Sequence, residues 1–358
     1  MSDATEQIAV PPPRDRAHER APASREVHSS AASAPLLEVR DLRVRFHQAD
    51  RCIAAVDGLS YPLCAGKTLA IIGESGSGKT VSCRALMGLL PQTASVTGSV
   101  LLEGMPLLAL KESEWRRQRG RKIAMVFQDA ARSLNPTMRV GQQITEAIRQ
   151  HQGVDAAKAR ARAIDLLDLL RVPDPQQRFL AYPHELSGGM RQRVMIAIAV
   201  SGNPQVLISD EATRSLDAIT QAETLKLLQD LQRQFGMALI MTSHDLKLAS
   251  HIADDVLVMY AGRAVERVPR GHLFSRARMR YTRALLDASP HIERPPHTPF
   301  PVVPGQPPDL AALPPGCAFE PRCASARELC KLSRPPLEEH ERGHWWACWH
   351  PCQDSELV

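Results

Sequence analysis

Gly73-Glu74-Ser75-Gly76-Ser77-Gly78-Lys79-Thr80 sets a lysine and a hydroxyl directly behind a glycine-rich turn, the spacing G-x-x-x-x-G-K-[ST]. The glycines permit positive φ and close backbone approach, so successive N–H groups can point at one phosphate chain. Lys79 would bridge the β- and γ-phosphates, and Thr80 would offer its hydroxyl to Mg²⁺. A glycine-rich turn matches this pattern by chance in roughly one chain of this length in a hundred. The chemistry indicated is that of a nucleoside triphosphate. Asp210 and Glu211 follow the apolar run Val206–Ser209; Asp210 suits a Mg²⁺ shell, and Glu211 could polarise an attacking water as general base. His244, in Ser243-His244-Asp245, ends the run Ala238–Thr242 and could contact a γ-phosphate. Each has a plainer reading, a solvated acidic turn or a surface histidine, against which the phosphate loop of the same chain weighs.

A second anion-binding pattern is incomplete. Leu186-Ser187-Gly188-Gly189 precedes Met190, Val194, Ala197 and Ile198, spaced i, i+4, i+7, i+8 as on an amphipathic helix with Ser187 near its N-cap. It carries no lysine. Alone it is an ordinary capped helix. Beside a complete phosphate loop it suggests two chains facing each other, each completing the other's site.

These residues need a scaffold that brings strand ends to one edge. From Leu36 to about Arg283 short apolar runs alternate with helical stretches, the pattern of a parallel sheet covered by helices. The clearest buried strands are Thr68–Ile72, Val206–Ser209 and Ala238–Thr242, while Leu37 to Phe46 reads as strands broken by a turn at Asp41. The stretch Val81–Leu90 behind the phosphate loop reads as helix. The block 141–190 shows no convincing strand, with Ala156–Leu170 helical, and reads as a helical subdomain inserted into an α/β domain at 36–289. Residues 1–35 read as a disordered tail. Ten prolines between Pro290 and Pro315 forbid a helix and favour an extended strap, before a small Cys-rich unit at 316–358. The 358 residues, 44% hydrophobic and 23% charged, have globular composition. The net charge of +5 falls far short of the concentrated basic charge of a nucleic-acid binder. No run reaches the ~18 apolar residues of a membrane span. Pro11 to Pro13 interrupt any signal-like apolar core after Ile8-Ala9-Val10, so a soluble, cytoplasmic chain is expected.

In this order the motifs resemble those of ABC-type ATP-binding subunits, over about residues 36–283. Leu186-Ser187-Gly188-Gly189-Met190-Arg191-Gln192 is similar to that family's signature sequence, which implies that Ser187, Gly188 and Gly189 bind the nucleotide of the partner cassette. The resemblance implies further roles. Gln128, in Met125-Val126-Phe127-Gln128, matches the Q-loop glutamine, which senses the γ-phosphate, joins the Mg²⁺ site and faces the transmembrane partner. Ser215-Leu216-Asp217 matches the D-loop, His244 the switch histidine, and Phe46 the aromatic that stacks on adenine. The chain departs from the family in Asp210-Glu211-Ala212-Thr213-Arg214-Ser215, which replaces the usual Asp-Glu-Pro-Thr-Thr-Ala, in Ala130, where a proline often follows the Q-loop, and in Ser243, where threonine is usual; none removes a catalytic side chain.

Ala55-Val56-Asp57-Gly58, Gly73-Glu74-Ser75-Gly76-Ser77-Gly78, Ser133-Leu134-Asn135-Pro136-Thr137 and the tail from Pro304-Gly305-Gln306-Pro307-Pro308-Asp309-Leu310 through Cys317 to Trp349 resemble, more narrowly, the dipeptide/oligopeptide/nickel importer subfamily. That implies an ATPase on the cytoplasmic face of the inner membrane, paired with a second, different ATP-binding subunit on two permeases and fed by an extracytoplasmic binding protein. Nickel, metallophore or glutathione uptake is the alternative to peptide import. A soluble ABC ATPase acting on DNA or ribosomes is the rival class, disfavoured because only about a hundred residues, with no heptads, separate Lys79 from Ser187 and because the chain holds one cassette.

Of eight cysteines, Cys52, Cys64 and Cys83 are scattered and read as buried small hydrophobes. Five cluster at the end. In a cytoplasmic chain that clustering argues for metal or iron–sulfur ligation over disulfides. Cys317-x5-Cys323-x6-Cys330-x17-Cys348 lacks the close pairs of structural zinc, while four thiolates suit a cubane cluster. The subfamily resemblance implies a [4Fe–4S] cluster on this motif. Zn²⁺ held by the same thiolates, or by three of them with His344 or His350, stays open, as do free thiols packed under Trp345, Trp346 and Trp349; Cys352 lies outside the pattern.

Overall fold

A computed structural model describes residues 34–48, 51–213, 216–289 and 301–353. The expected tail (but for 34 and 35), Arg214 and Ser215, and the first part of the strap (290–300) lie outside the described residues. The strands are β1 (Leu37–Gln48), β2 (Arg51–Leu63), β3 (Thr68–Ile72), β4 (Ala94–Leu102), β5 (Met105–Pro106), β6 (Ile123–Val126), β7 (Val206–Asp210), β8 (Ala238–Ser243), β9 (Asp255–Tyr260), β10 (Arg263–Pro269), β11 (Glu338–Glu341) and β12 (His344–Trp346). An antiparallel sheet has the order β2-β1-β4-β5, and a larger sheet the order β11-β12-β10-β9-β3-β8-β7-β6. Pairings among β9, β3, β8, β7 and β6 are parallel. The mixed α/β architecture is the one expected.

Strands β3, β7 and β8 are buried along their whole lengths, as unbroken apolar runs covered on both faces require. Alternation sorts their side chains between two cores. Ala70, Ile72, Leu207, Leu239 and Met241 face the helical side. Leu69, Ile71, Val206, Ile208, Ala238 and Ile240 face the antiparallel sheet and the helix Lys79–Leu86. The block after residue 140 is helical, with helices Val140–Gln152, Ala156–Leu169 and Pro175–Leu180 before Gly188–Val200. Asp155 caps the second, accepting the Lys158 N–H at 2.8 Å.

The structure corrects four expectations. The Asp41 turn does not end β1. Asp41 takes φ 45° inside one twelve-residue strand, where the register with β2 shifts between Val39 and Leu42 as a bulge, and its N–H is satisfied by Ser60 Oγ at 2.8 Å. The helix behind the phosphate loop stops at Leu86, because Gly88 turns the chain at φ 61° against Trp115. The helix Gly188–Val200 is not amphipathic. From Gln192 onward its side chains are mostly buried, including Met195, Ile196 and Ala199 off the predicted stripe. Among the scattered cysteines only Cys83 is buried, Cys52 being exposed and Cys64 half-buried.

The C-terminal unit is not an appendage. Its strands β11 and β12 extend the main sheet, Trp345 and Trp346 pairing with Arg267 and Glu266 of β10. Among the described residues no helix is long and apolar enough to cross a membrane.

Candidate active site

The phosphate loop joins β3 to the helix Lys79–Leu86. Two of its glycines are required sterically. Gly78 has φ 102°, and a Cβ there would lie 2.4 Å from Ala55 O; a Cβ on Gly73 would lie 2.2 Å from Met259 O. Ser75 and Gly76 are exposed, whereas Ser77 and Lys79 are buried beneath them. Lys79 Nζ donates to Gly73 O at 2.7 Å and Glu74 O at 3.0 Å and stands 3.7 Å from Glu211 Oε1. Burial pushes its ammonium below the ordinary value, with Glu211 and Asp210 pulling the other way. Ser77 Oγ is buried with no hydrogen-bond partner among the described residues.

The parallel strands deliver the acids to the same place. Asp210 and Thr242 are paired across β7 and β8, and Thr242 Oγ1 donates to Asp210 Oδ1 at 2.8 Å. Thr80 Oγ1 donates to the same oxygen at 3.0 Å, so a hydroxyl and a carboxylate converge where the sheet's carboxyl edge meets the loop. These oxygens are the hard donors that Mg²⁺ takes, one or two from protein and the rest from phosphates and water. Glu211 is buried at φ 45°, a rare conformation for a residue with a side chain. Its N–H donates to Thr242 Oγ1 at 2.9 Å, and its Oε2 accepts Gln128 Nε2 at 3.3 Å. Gln128, Glu211, Lys79, Thr80 and Asp210 therefore form one connected network.

The other predicted residues lie further out. The ring of His244, just past β8 and exposed, makes no hydrogen bond to a described residue. Phe46 is half-buried on the antiparallel sheet opposite Ile53; two residues on, Ala55 abuts Gly78. Ser187 caps the helix Gly188–Val200, accepting the Met190 N–H at 3.3 Å, and Asp217 caps the helix Ala218–Phe235, bonding Thr220 N and Oγ1 at 3.0 and 2.7 Å. Those bonds hold the Asp217 carboxyl below its usual range. Ser187, Gly188, Gly189 and Asp217 line one open cleft that includes no residue of the phosphate loop.

Cys317, Cys323, Cys330 and Cys348 line one cleft, together with His350 and Trp349. All four are free thiols. Burial pushes Cys317 up to about 11 and raises Cys323 and Cys348 as well. His344 is elsewhere, its Nε2 bound to buried Glu266 at 2.8 Å, and Cys352 is bonded to Arg278. Among the described residues no three His, Cys, Asp or Glu side chains are arranged to hold a metal ion.

Sequence reasoning missed Thr242, Tyr281 and Arg322. Thr242 carried a signal, being a hydroxyl at the end of a buried strand. Tyr281 and Arg322 carried none: Tyr281 Oη accepts the Glu74 N–H at 2.9 Å, and Arg322 forks onto the Glu74 carboxylate at 2.7 and 2.9 Å, from 207 and 248 residues away along the chain.

Residues 56–214 match the family model of ABC transporters, and residues 265–330 that of the oligopeptide/dipeptide transporter C-terminal region. The oligopeptide transport ATP-binding protein OppD of Escherichia coli is 44% identical over 319 residues, 89% of this chain and 94% of its own. OppD of Haemophilus influenzae is 43% identical over 90% of this chain and 99% of its own. Among solved structures, the dimeric ATP-binding cassette MJ0796 with ADP and phosphate aligns with TM-score 0.59 at 24% identity, over 65% of this chain and 98% of its own, a likeness of fold. CbiO1 of Clostridium perfringens aligns at 0.58 and 26% identity, over 68% and 92%.

Proposed function

The chain belongs to the ABC transporter family, among the ATP-binding proteins of its oligopeptide/dipeptide branch, and from that premise we propose that it binds and hydrolyses ATP to power uptake of di- and oligopeptides through membrane permeases. The observation that carries this reading is the connected network from Gln128 to Asp210 at the mouth of the phosphate loop.

The roles follow from geometry. The loop's N–H groups and Lys79 cradle the phosphates, and nucleotide entry draws Lys79 off the Gly73 and Glu74 carbonyls. Ser77 Oγ, buried and with no partner among the described residues, is a donor held ready within the loop. Thr80 and Asp210 would hold Mg²⁺, which when bound neutralises charge on the phosphates. Glu211 takes the proton of the attacking water, and its left-handed backbone and the Thr242 bond fix where its carboxylate stands. Gln128 reports on the site by its bond to Glu211. His244 is free to swing to the γ-phosphate, and Phe46 offers a face for adenine. Ser187, Gly188, Gly189 and Asp217 lie in a separate cleft, which supports contact with a partner cassette's nucleotide. The proposed assembly holds two permeases and a second, different ATP-binding subunit at the inner face of the membrane, with a solute-binding protein outside.

The test is an affinity pull-down of Glu211→Gln from solubilised membranes with ATP, alongside its turnover rate. Turnover should fall about a hundredfold or more, and two permeases with a second ATP-binding subunit should co-purify. Recovery of ribosomes or DNA-bound proteins with no membrane protein sinks the transport reading.

The finer reading of the C-terminal thiols is a [4Fe–4S] cluster. It is supported by four unpaired cysteines around one cleft, since a cubane takes one thiolate per iron and spaces them more widely than a single ion does. Anaerobically purified protein should carry about four irons and four acid-labile sulfides per chain, falling with Cys330→Ser. Stoichiometric zinc, or no metal, refutes it.

A further inference from the structure

Glu74 is the second residue of the phosphate loop, and its three polar groups are each bound to a different part of the chain. Its N–H donates to Tyr281 Oη at 2.9 Å, its carbonyl accepts Lys79 Nζ at 3.0 Å, and its carboxylate receives Arg322 Nη1 at 2.7 Å and Nη2 at 2.9 Å. Arg322 belongs to the C-terminal unit, in the short 3-10 turn Glu320–Arg322 next to Cys323. Its side chain is only 5% exposed, against 22% for Glu74. The fork is itself held. Nε donates to Pro304 O at 2.6 Å, and Nη1 also reaches Tyr260 Oη at 3.2 Å. Pro307, Pro308 and Leu310 of the strap then wall the hollow beside Ser75, Gly76 and Ser77.

Two consequences bear on nucleotide binding. A carboxylate in a loop built to receive a triphosphate repels it unless paired, and bidentate guanidinium pairing removes that repulsion where a flexible lysine does so less well. The same pairing fixes the peptide whose carbonyl orients Lys79. No other described cation pairs with Glu74.

We propose that Arg322 is a positioning residue for ATP binding: from the C-terminal unit it neutralises and orients Glu74, and thereby sets the charge and shape of the phosphate loop. The proposal rests on the nucleotide reading of that loop, which wild-type binding tests by itself.

Full-length protein is titrated calorimetrically with a non-hydrolysable ATP analogue and Mg²⁺. Arg322→Gln should weaken binding about five- to tenfold, and Arg322→Lys less. Adding Glu74→Gln to Arg322→Gln should bring affinity back to within about twofold of wild type, because the unpaired charge has gone. A merely structural arginine predicts that the double variant stays as weak or weaker. Arg322→Gln binding like wild type, or a double variant without recovery, overturns the proposal. If Arg322→Gln does not fold, Arg322→Lys carries the same comparison, and its defect must again be relieved by Glu74→Gln. Wild-type protein that binds no nucleotide takes down the ATP reading and this proposal together.

Discussion

Glu211 shows how much a single residue's backbone can carry. It sits at φ 45°, a strain of order 1–3 kcal/mol. The Thr242 hydroxyl offsets that strain from one side and holds Asp210 on the other. Residue type and spacing single out Lys79, Thr80, Asp210 and Glu211, which the fold brings into one network, because phosphate, metal and water chemistry each restrict the choice of side chain. Thr242 escaped because a threonine in a strand is ordinary, and only the register across β7 and β8 gives it a role. Lys79 yields a pH prediction. Its lowered pKa means that the ammonium loses its proton before the ordinary 10.5 as pH rises. Nucleotide affinity should therefore begin to fall below that pH, and an affinity flat up to 10.5 contradicts it. Folding stability moves the opposite way through the same window. The buried charge opposes folding below the lowered pKa, and that opposition is relieved as pH rises from there toward 10.5.

At the scale of elements, buried strands were legible and boundaries were not. Thr68–Ile72, Val206–Ser209 and Ala238–Thr242 appear within one residue of expectation, since a strand covered on both faces must be an apolar run. The Asp41 bulge carries the sequence signal of a break, because a left-handed residue in a strand and a turn look alike in sequence. The helix behind Ser187 has the spacing of an apolar stripe, while packing against several neighbours makes most of its circumference core. Ser187 itself does one local task, accepting the Met190 N–H. Ser187→Ala should accordingly lower stability by about 1 kcal/mol in urea denaturation. In the assembled motor its effect on ATP turnover should be several times that of the cap alone, and equal small losses in both would leave Ser187 a cap and nothing more.

The whole molecule differs most from what its sequence suggests. In the sequence the tail is only a proline-rich strap followed by a small Cys-rich unit, because composition cannot reveal that β12 pairs with β10 or that Arg322 reaches Glu74. Such contacts join residues hundreds of positions apart and leave no periodicity. Deleting residues 301 onward should lower the thermal midpoint and promote association, since it uncovers the β10 edge and the Tyr260 and Tyr281 rings that Phe319 covers; a truncated chain as stable and monomeric as the full one would make the unit dispensable. The placement of β12 also has a consequence in time. Its partner on β10 is made about eighty residues earlier, which at roughly 5–20 residues per second is several seconds of translation. Throughout that interval the nascent sheet ends in an uncapped strand, with the carboxylate of Glu266 lacking the histidine that later satisfies it. Pairing of β10 with β12 thus waits until the segment carrying Cys317, Cys323 and Cys330 has been made, so the covering of that strand and the arrival of those thiols fall in the same few seconds of synthesis.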